Sequence, residues 1–115
     1  MSENNSQSRL TVDVERSPEV AIVHCKGELV AGVTDLLHRK VKELIPESKR
    51  IVLDLRELTY LDSSGIGMMV RLFVSAKSAK CTLQLANVSG RVRQVLGITD
   101  LLSVLQVIGE NNLRM

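Results

Sequence analysis

The sequence predicts a single α/β domain, in which an antiparallel N-terminal hairpin joins a mostly parallel sheet of four to five strands with packed helices. Three observations predict it. Two strand-like apolar stretches, around Leu10 and Ala21, are separated only by turn residues, as in a hairpin. Downstream, short apolar runs alternate with stretches whose apolar residues recur at helical spacing, the order that builds crossover-connected strands. Ile51-Val52-Leu53-Asp54-Leu55 is a nearly continuous apolar run, the pattern of a central parallel strand.

Residues 1–8 are polar and have nothing to bury, so they read as a disordered arm, and the domain spans residues 9–115. Leu10, Val12 and Val14 alternate with polar neighbours and predict a strand with one wet side. Arg16-Ser17-Pro18-Glu19 supplies the turn, and Val20 to Lys26 the second strand. After Gly27-Glu28-Leu29, Val30-Ala31-Gly32 reads as a linker. Val33, Leu36, Leu37, Val41, Leu44 and Ile45 then mark a helix that Pro46 closes. Arg50 to Leu55 is the central strand, and residues 56–61 read as a loop leading to Asp62.

A second helix is expected from Ile66 to about Ala79. Its inward residues are Ile66, Met69, Val70, Phe73 and Val74; Arg71, Ser75, Lys77, Ser78 and Lys80 face water. Cys81 to Ala86 alternates through Leu83 and Leu85 as a strand. Asn87-Val88-Ser89-Gly90 reads as a loop and cap, and Val92, Val95 and Leu96 mark a helix that Gly97 stops. One further helical turn is expected over residues 98–102, a last strand over 103–108, and a frayed tail or short helix from Gly109.

Composition narrows the function. Fifteen basic against thirteen acidic residues leave a net charge of +2, without the excess that nucleic acid or an anionic membrane calls for. One Tyr, one Phe and no Trp leave little for bases to stack on. No run of about 18 apolar residues is present to span a bilayer. The N-terminal residues lack the basic start and apolar core of a signal peptide. Cys25 and Cys81 form no C-x-x-C and join no histidine group, so they read as reduced packing thiols of a cytoplasmic protein, and neither metal nor cofactor is expected.

Asp62-Ser63-Ser64-Gly65-Ile66-Gly67 sits between the central strand and the second helix. Amide groups at a helix start lack internal partners and carry the positive end of the dipole, so a hydroxyl there either caps the helix or is well placed to carry a phosphate. Ser63 reads in both ways. Hydrolase chemistry lacks its parts: there is no G-x-S-x-G elbow, and His24 and His38 read as solvated side chains. A phosphate-binding G-x-x-x-x-G-K-[ST] loop is also absent. A carboxylate pair requires Asp54 and Asp62 to converge, which sequence alone leaves open.

Leu61-Asp62-Ser63-Ser64-Gly65-Ile66-Gly67, preceded by Ile51-Val52-Leu53-Asp54-Leu55, resembles the signature of STAS-domain anti-sigma-factor antagonists. Asn87-Val88-Ser89-Gly90-Arg91-Val92-Arg93-Gln94-Val95-Leu96-Gly97-Ile98-Thr99 resembles the later helix-loop pattern of that family, and Gly27-Glu28-Leu29 a shorter third piece. The resemblance covers roughly residues 9–108. It implies a STAS-like fold in a bacterial cytoplasmic regulator that works by partner switching. The unphosphorylated protein binds an anti-sigma factor with serine kinase activity and frees a sigma factor. Phosphorylation of the serine after the Asp, here Ser63, ends the binding, and a serine phosphatase resets it.

On this reading the protein is a substrate and binding module with no catalytic residue. Its expected partner surface comprises Asp62, Ser63, Ser64, Gly65, Gly67, Met68, Arg71 and Leu72. Met68 and Leu72 lie one turn apart beside the predicted buried stripe, as the edge of the core or as an apolar strip running away from Ser63. The pattern departs from the family at Val30 and Val33, where an Asp and a Thr usually stand. Two alternatives stay open: a STAS adaptor that binds a transporter ATPase or signalling scaffold without phosphorylation, and a nucleotide-binding or hydrolytic enzyme using the same helix start.

Overall fold

The computed structural model describes residues 9–98 and 106–108. The predicted arm, the helical turn after Ile98, the start of the last strand and the tail lie outside the described residues. Five strands form one mixed sheet in chain order: β1 (Leu10–Arg16), β2 (Val20–Leu29), β3 (Arg50–Leu61), β4 (Thr82–Ala86) and β5 (Gln106–Ile108). The β1–β2 pair is antiparallel, with Leu10 opposite Gly27 and Arg16 opposite Ala21. All later pairings are parallel. The helices are α1 (Thr34–Leu44), followed by a 3-10 turn at Ile45–Glu47, α2 (Ser63–Ser78) and α3 (Gly90–Ile98).

The main core lies on one face of the sheet. Val23, Cys25, Leu53, Leu55, Leu83 and Leu85 meet Leu37 and Val41 of α1, Met69 and Leu72 of α2, and Val92 of α3. Leu53, Leu55 and Leu85 are fully buried, and each such side chain contributes about 1.5–3 kcal/mol. The other face carries a smaller cluster of Ile22, Val52 and Ala86 with Val20 against it. Cys25 and Cys81 are buried free thiols, as expected, and burial pushes Cys25 up to about 12.

The hairpin, α1 and β4 follow the sequence reading closely. β3 does not stop at Leu55. Residues 56–61, expected as a loop, continue the strand and pair with Lys26 to Leu29 of a correspondingly longer β2. The register shifts twice there, and Thr59 is left as an extra residue between the Gly27–Leu58 and Glu28–Tyr60 pairs. An extra residue breaks the two-residue alternation, so Leu58 and Leu61 point inward three apart and the strand pattern is hidden. α3 extends through Gly97 to Ile98, one residue beyond the expected stop.

The buried stripe of α2 differs from the expected one. Gly65, Met68, Met69, Leu72 and Ala76 face the sheet, Ile66 and Phe73 are half-buried against the core, and Val70 and Val74 are exposed. The helix is rotated by about one residue because the small Gly65 and Ala76 allow close approach. A Cβ on Gly65 would lie 2.4 Å from the Leu29 carbonyl oxygen.

Candidate functional site

The site forms where β3 feeds α2. The helix begins at Ser63, three residues before the expected start, and Asp62 is its N-cap. The Gly65 N–H donates to Asp62 Oδ1 at 3.1 Å, and the Ile66 N–H to the Asp62 carbonyl at 3.0 Å. This settles the capping question. The cap is the aspartate, and Ser63 occupies the first helical position, exposed, with no hydrogen bond from its hydroxyl to any described residue. Ser64 is exposed beside it.

Asp62 has a second task. Its Oδ2 accepts from the Ala31 N–H at 3.1 Å, and its own N–H donates to the Leu29 carbonyl at 3.2 Å. The end of β2 and the loop after it are thereby tied to the start of α2. The hydrogen bond from Ala31, followed by those from the α2 amides, holds the Asp62 carboxyl below the usual carboxylate range. The carboxylate is ionised at neutral pH and committed to backbone donors.

The loop explains the two family departures. Val30 is buried, and Val33 is half-buried against the core. Ala31 and Gly32 are therefore the residues the loop shows to solvent, with Gly32 at φ +96°. Neither valine brings a carboxylate or hydroxyl beside Ser63.

The expected partner residues divide into two groups. Asp62, Ser63, Ser64 and Gly67 lie at the surface of the helix start, and Arg71 is exposed further along, without a carboxylate partner among the described residues. Gly65, Met68 and Leu72 belong to the core, so the apolar strip expected from Met68 and Leu72 is not at the surface. The apolar residues that do extend outward from Ser63 are Val70 and Val74, 38% and 57% exposed. Sequence periodicity assigned them inward. The clue to their true face was the spacing of Gly65 and Ala76, whose small size hydropathy undervalues.

Asp54 and Asp62 do not share a site. Asp54 belongs to a separate polar array on the opposite face of the sheet. Its carboxylate accepts from Asn87 Nδ2 at 2.9 Å and from the Arg56 N–H at 3.1 Å, and meets His24 Nδ1 at 2.8 Å. The other His24 nitrogen meets Glu15. His24 is therefore half-buried and bridged between two carboxylates rather than solvated. His38 sits half-buried on α1. Neither histidine is among the hydrogen-bond partners of Ser63 or Asp62. Among the described residues, no group of His, Cys, Asp and Glu is arranged to hold a metal, and no helix is long and apolar enough to cross a membrane.

A strand delivering Asp-Ser-Ser-Gly onto a helix, within a sheet that begins in a hairpin and continues in parallel crossovers, defines a small α/β domain with two serines exposed at a helix start. The STAS domain family matches residues 11–112, and the chain belongs to that family. It is similar to the anti-sigma-B factor antagonist of Bacillus subtilis (strain 168), 26% identical over 98 residues covering 85% of this chain and 90% of the relative. The anti-sigma-B factor antagonist of Listeria monocytogenes serovar 1/2a is 32% identical over 106 residues, again covering 85% and 90%. In fold it is similar to the anti-sigma factor antagonist SpoIIAA in its unphosphorylated form, with a TM-score of 0.74 and 21% identity over 88% of this chain and 90% of that one.

Proposed function

We propose that this chain is an anti-sigma-factor antagonist gated by phosphorylation of Ser63. The observation that carries the reading is the placement of Ser63: exposed, first in its helix, its hydroxyl left uncommitted because Asp62 takes the cap. The names of the similar Bacillus and Listeria proteins support the antagonist role. The partner is an anti-sigma factor that doubles as an ATP-dependent serine kinase. The Ser63 oxygen attacks the γ-phosphorus, the bond to the β-phosphate oxygen breaks, ADP leaves, and the hydroxyl proton passes to a base of the kinase. A serine phosphatase hydrolyses the ester.

The physics favours a switch that blocks an interface without melting the domain. Phosphate adds about −1.5 to −2 charges and three acceptor oxygens. A helix start favours that charge by about 0.3–1 kcal/mol. The exposed residues Ser64, Gly67, Val70, Arg71 and Val74 run from Ser63 along α2 as the partner-facing strip, with Arg71 offered to an acidic group. The charge and bulk of the phosphate fall at the head of that strip.

The test is affinity capture from native cells with Ser63→Ala and Ser63→Asp baits. Ser63→Ala retains the anti-sigma factor. Ser63→Asp melts at the same temperature yet binds at least about tenfold more weakly, a loss of about 1.4 kcal/mol. Equal capture by both baits rejects the switch.

A further inference from the structure

The Asp62 carboxylate divides its two oxygens between two elements, the start of α2 and the loop after β2. The bond from Gly65 is local, three residues away on a formed helix. The bond from Ala31 crosses 31 positions to a short loop. That loop is anchored by buried Val30 and half-buried Val33 and closed by the Val33 N–H to the Val30 carbonyl at 3.1 Å. Between these anchors, Ala31 and Gly32 are exposed and nearly devoid of side chain. The Asp62 bond is the one side-chain hydrogen bond given to this part of the loop by a described residue.

We infer that Asp62 is the positioning residue that passes the state of Ser63 to the Ala31–Gly32 peptide, making the loop after β2 a second element of the switched surface. The inference rests on the proposed phosphorylation of Ser63. A phosphate on the adjacent residue sets like charge beside the Asp62 carboxylate. The carboxylate cannot satisfy both electrostatics and its two bonds. It keeps the short-range cap on Gly65 and gives up the long-range bond to Ala31. The helix start survives, and the loop peptide is released. The Ala31 bond is the first cause of the lowered pKa of Asp62, so that bond answers to the charge on the carboxylate.

The experiment needs no kinase. Phosphoserine is installed genetically at position 63 of the full 15N-labelled chain, and amide exchange is compared with the unmodified chain. The Ala31 amide is expected to exchange at least tenfold faster in the phosphoserine chain, with the Leu53 and Leu85 amides unchanged. In Asp62→Asn, Ala31 is already fast, and phosphoserine accelerates it less than twofold further. Asp62→Ser, which keeps a capping oxygen, gives the same result should the Asn variant fold poorly. An Ala31 amide indifferent to phosphoserine overturns the relay, as does equal acceleration in the Asp62 variants. The switch is judged separately, by partner capture with the same two chains. Phosphoserine that ejects the partner yet leaves Ala31 untouched overturns the relay and leaves the switch standing.

Discussion

Val70 and Val74 face water, while Met68 and Leu72, on the neighbouring face of the same helix, are buried against the sheet. One residue of helical rotation exchanges the roles of these two pairs. Leu72→Ala should lower stability by about 2–5 kcal/mol, because its cavity opens in a packed core. Val74→Ser should change it by less than about 0.5 kcal/mol, as at an ordinary surface position. Urea midpoints of the two variants check this, and equal losses would refute the assigned rotation. Apolar spacing showed that α2 has an inward stripe but not its phase, since Ile66, Phe73 and Val70 compete with Met68, Met69 and Leu72 at similar hydropathy. Close approach at Gly65 decides the phase, and that is a tertiary fact. Ser63 was legible as a special residue from its motif. That Asp62 rather than Ser63 caps the helix depends on backbone geometry that a letter string does not carry.

At the scale of elements, β1, α1 and β4 were legible because their alternation or helical period runs unbroken. The distal half of β3 was not, because two register shifts scramble its period. The two motif glycines of α2 also part company. Gly65→Ala drives a Cβ against the Leu29 backbone and should destabilise the fold by about 1–3 kcal/mol. Gly67 meets open space, so Gly67→Ala should be neutral or stabilise the helix by about 0.5–1 kcal/mol. Thermal melts of both variants separate packing from exposure within one motif. A destabilised Gly67→Ala, or an unaffected Gly65→Ala, would contradict the packing described.

For the whole molecule, the His24 array stitches β1, β2, β3 and the Asn87 loop together through charge. Carboxylates only accept, so bonds from both ring nitrogens require the doubly protonated ring. Burial opposes that charge, but hydrogen bonds to Glu15 and Asp54 outweigh it and raise the His24 pKa above 6.5. Its contribution is therefore full below pH 6.5 and lost as pH rises through the raised value. Asp54 is opposed by its own burial, yet its bonds from Asn87, Arg56 and His24 hold it below 3.8. Its contribution is present above 3.8 and lost as pH falls through the lowered value. Stability should peak between these limits, and His24→Gln should flatten the decline that sets in above pH 6.5. An unchanged alkaline limb in that variant, measured by urea unfolding, would remove His24 from the account. The β4 pairing of β3 ends at Asp54, while β3 itself runs on to Leu61 and hands the chain to an exposed Ser63. The Ser63 hydroxyl thus stands beyond the last rung that β4 shares with β3. On the proposed switch, a kinase would reach that hydroxyl without waiting for any part of the fold to open, so access adds no delay to an encounter of about 10⁵–10⁷ M⁻¹ s⁻¹.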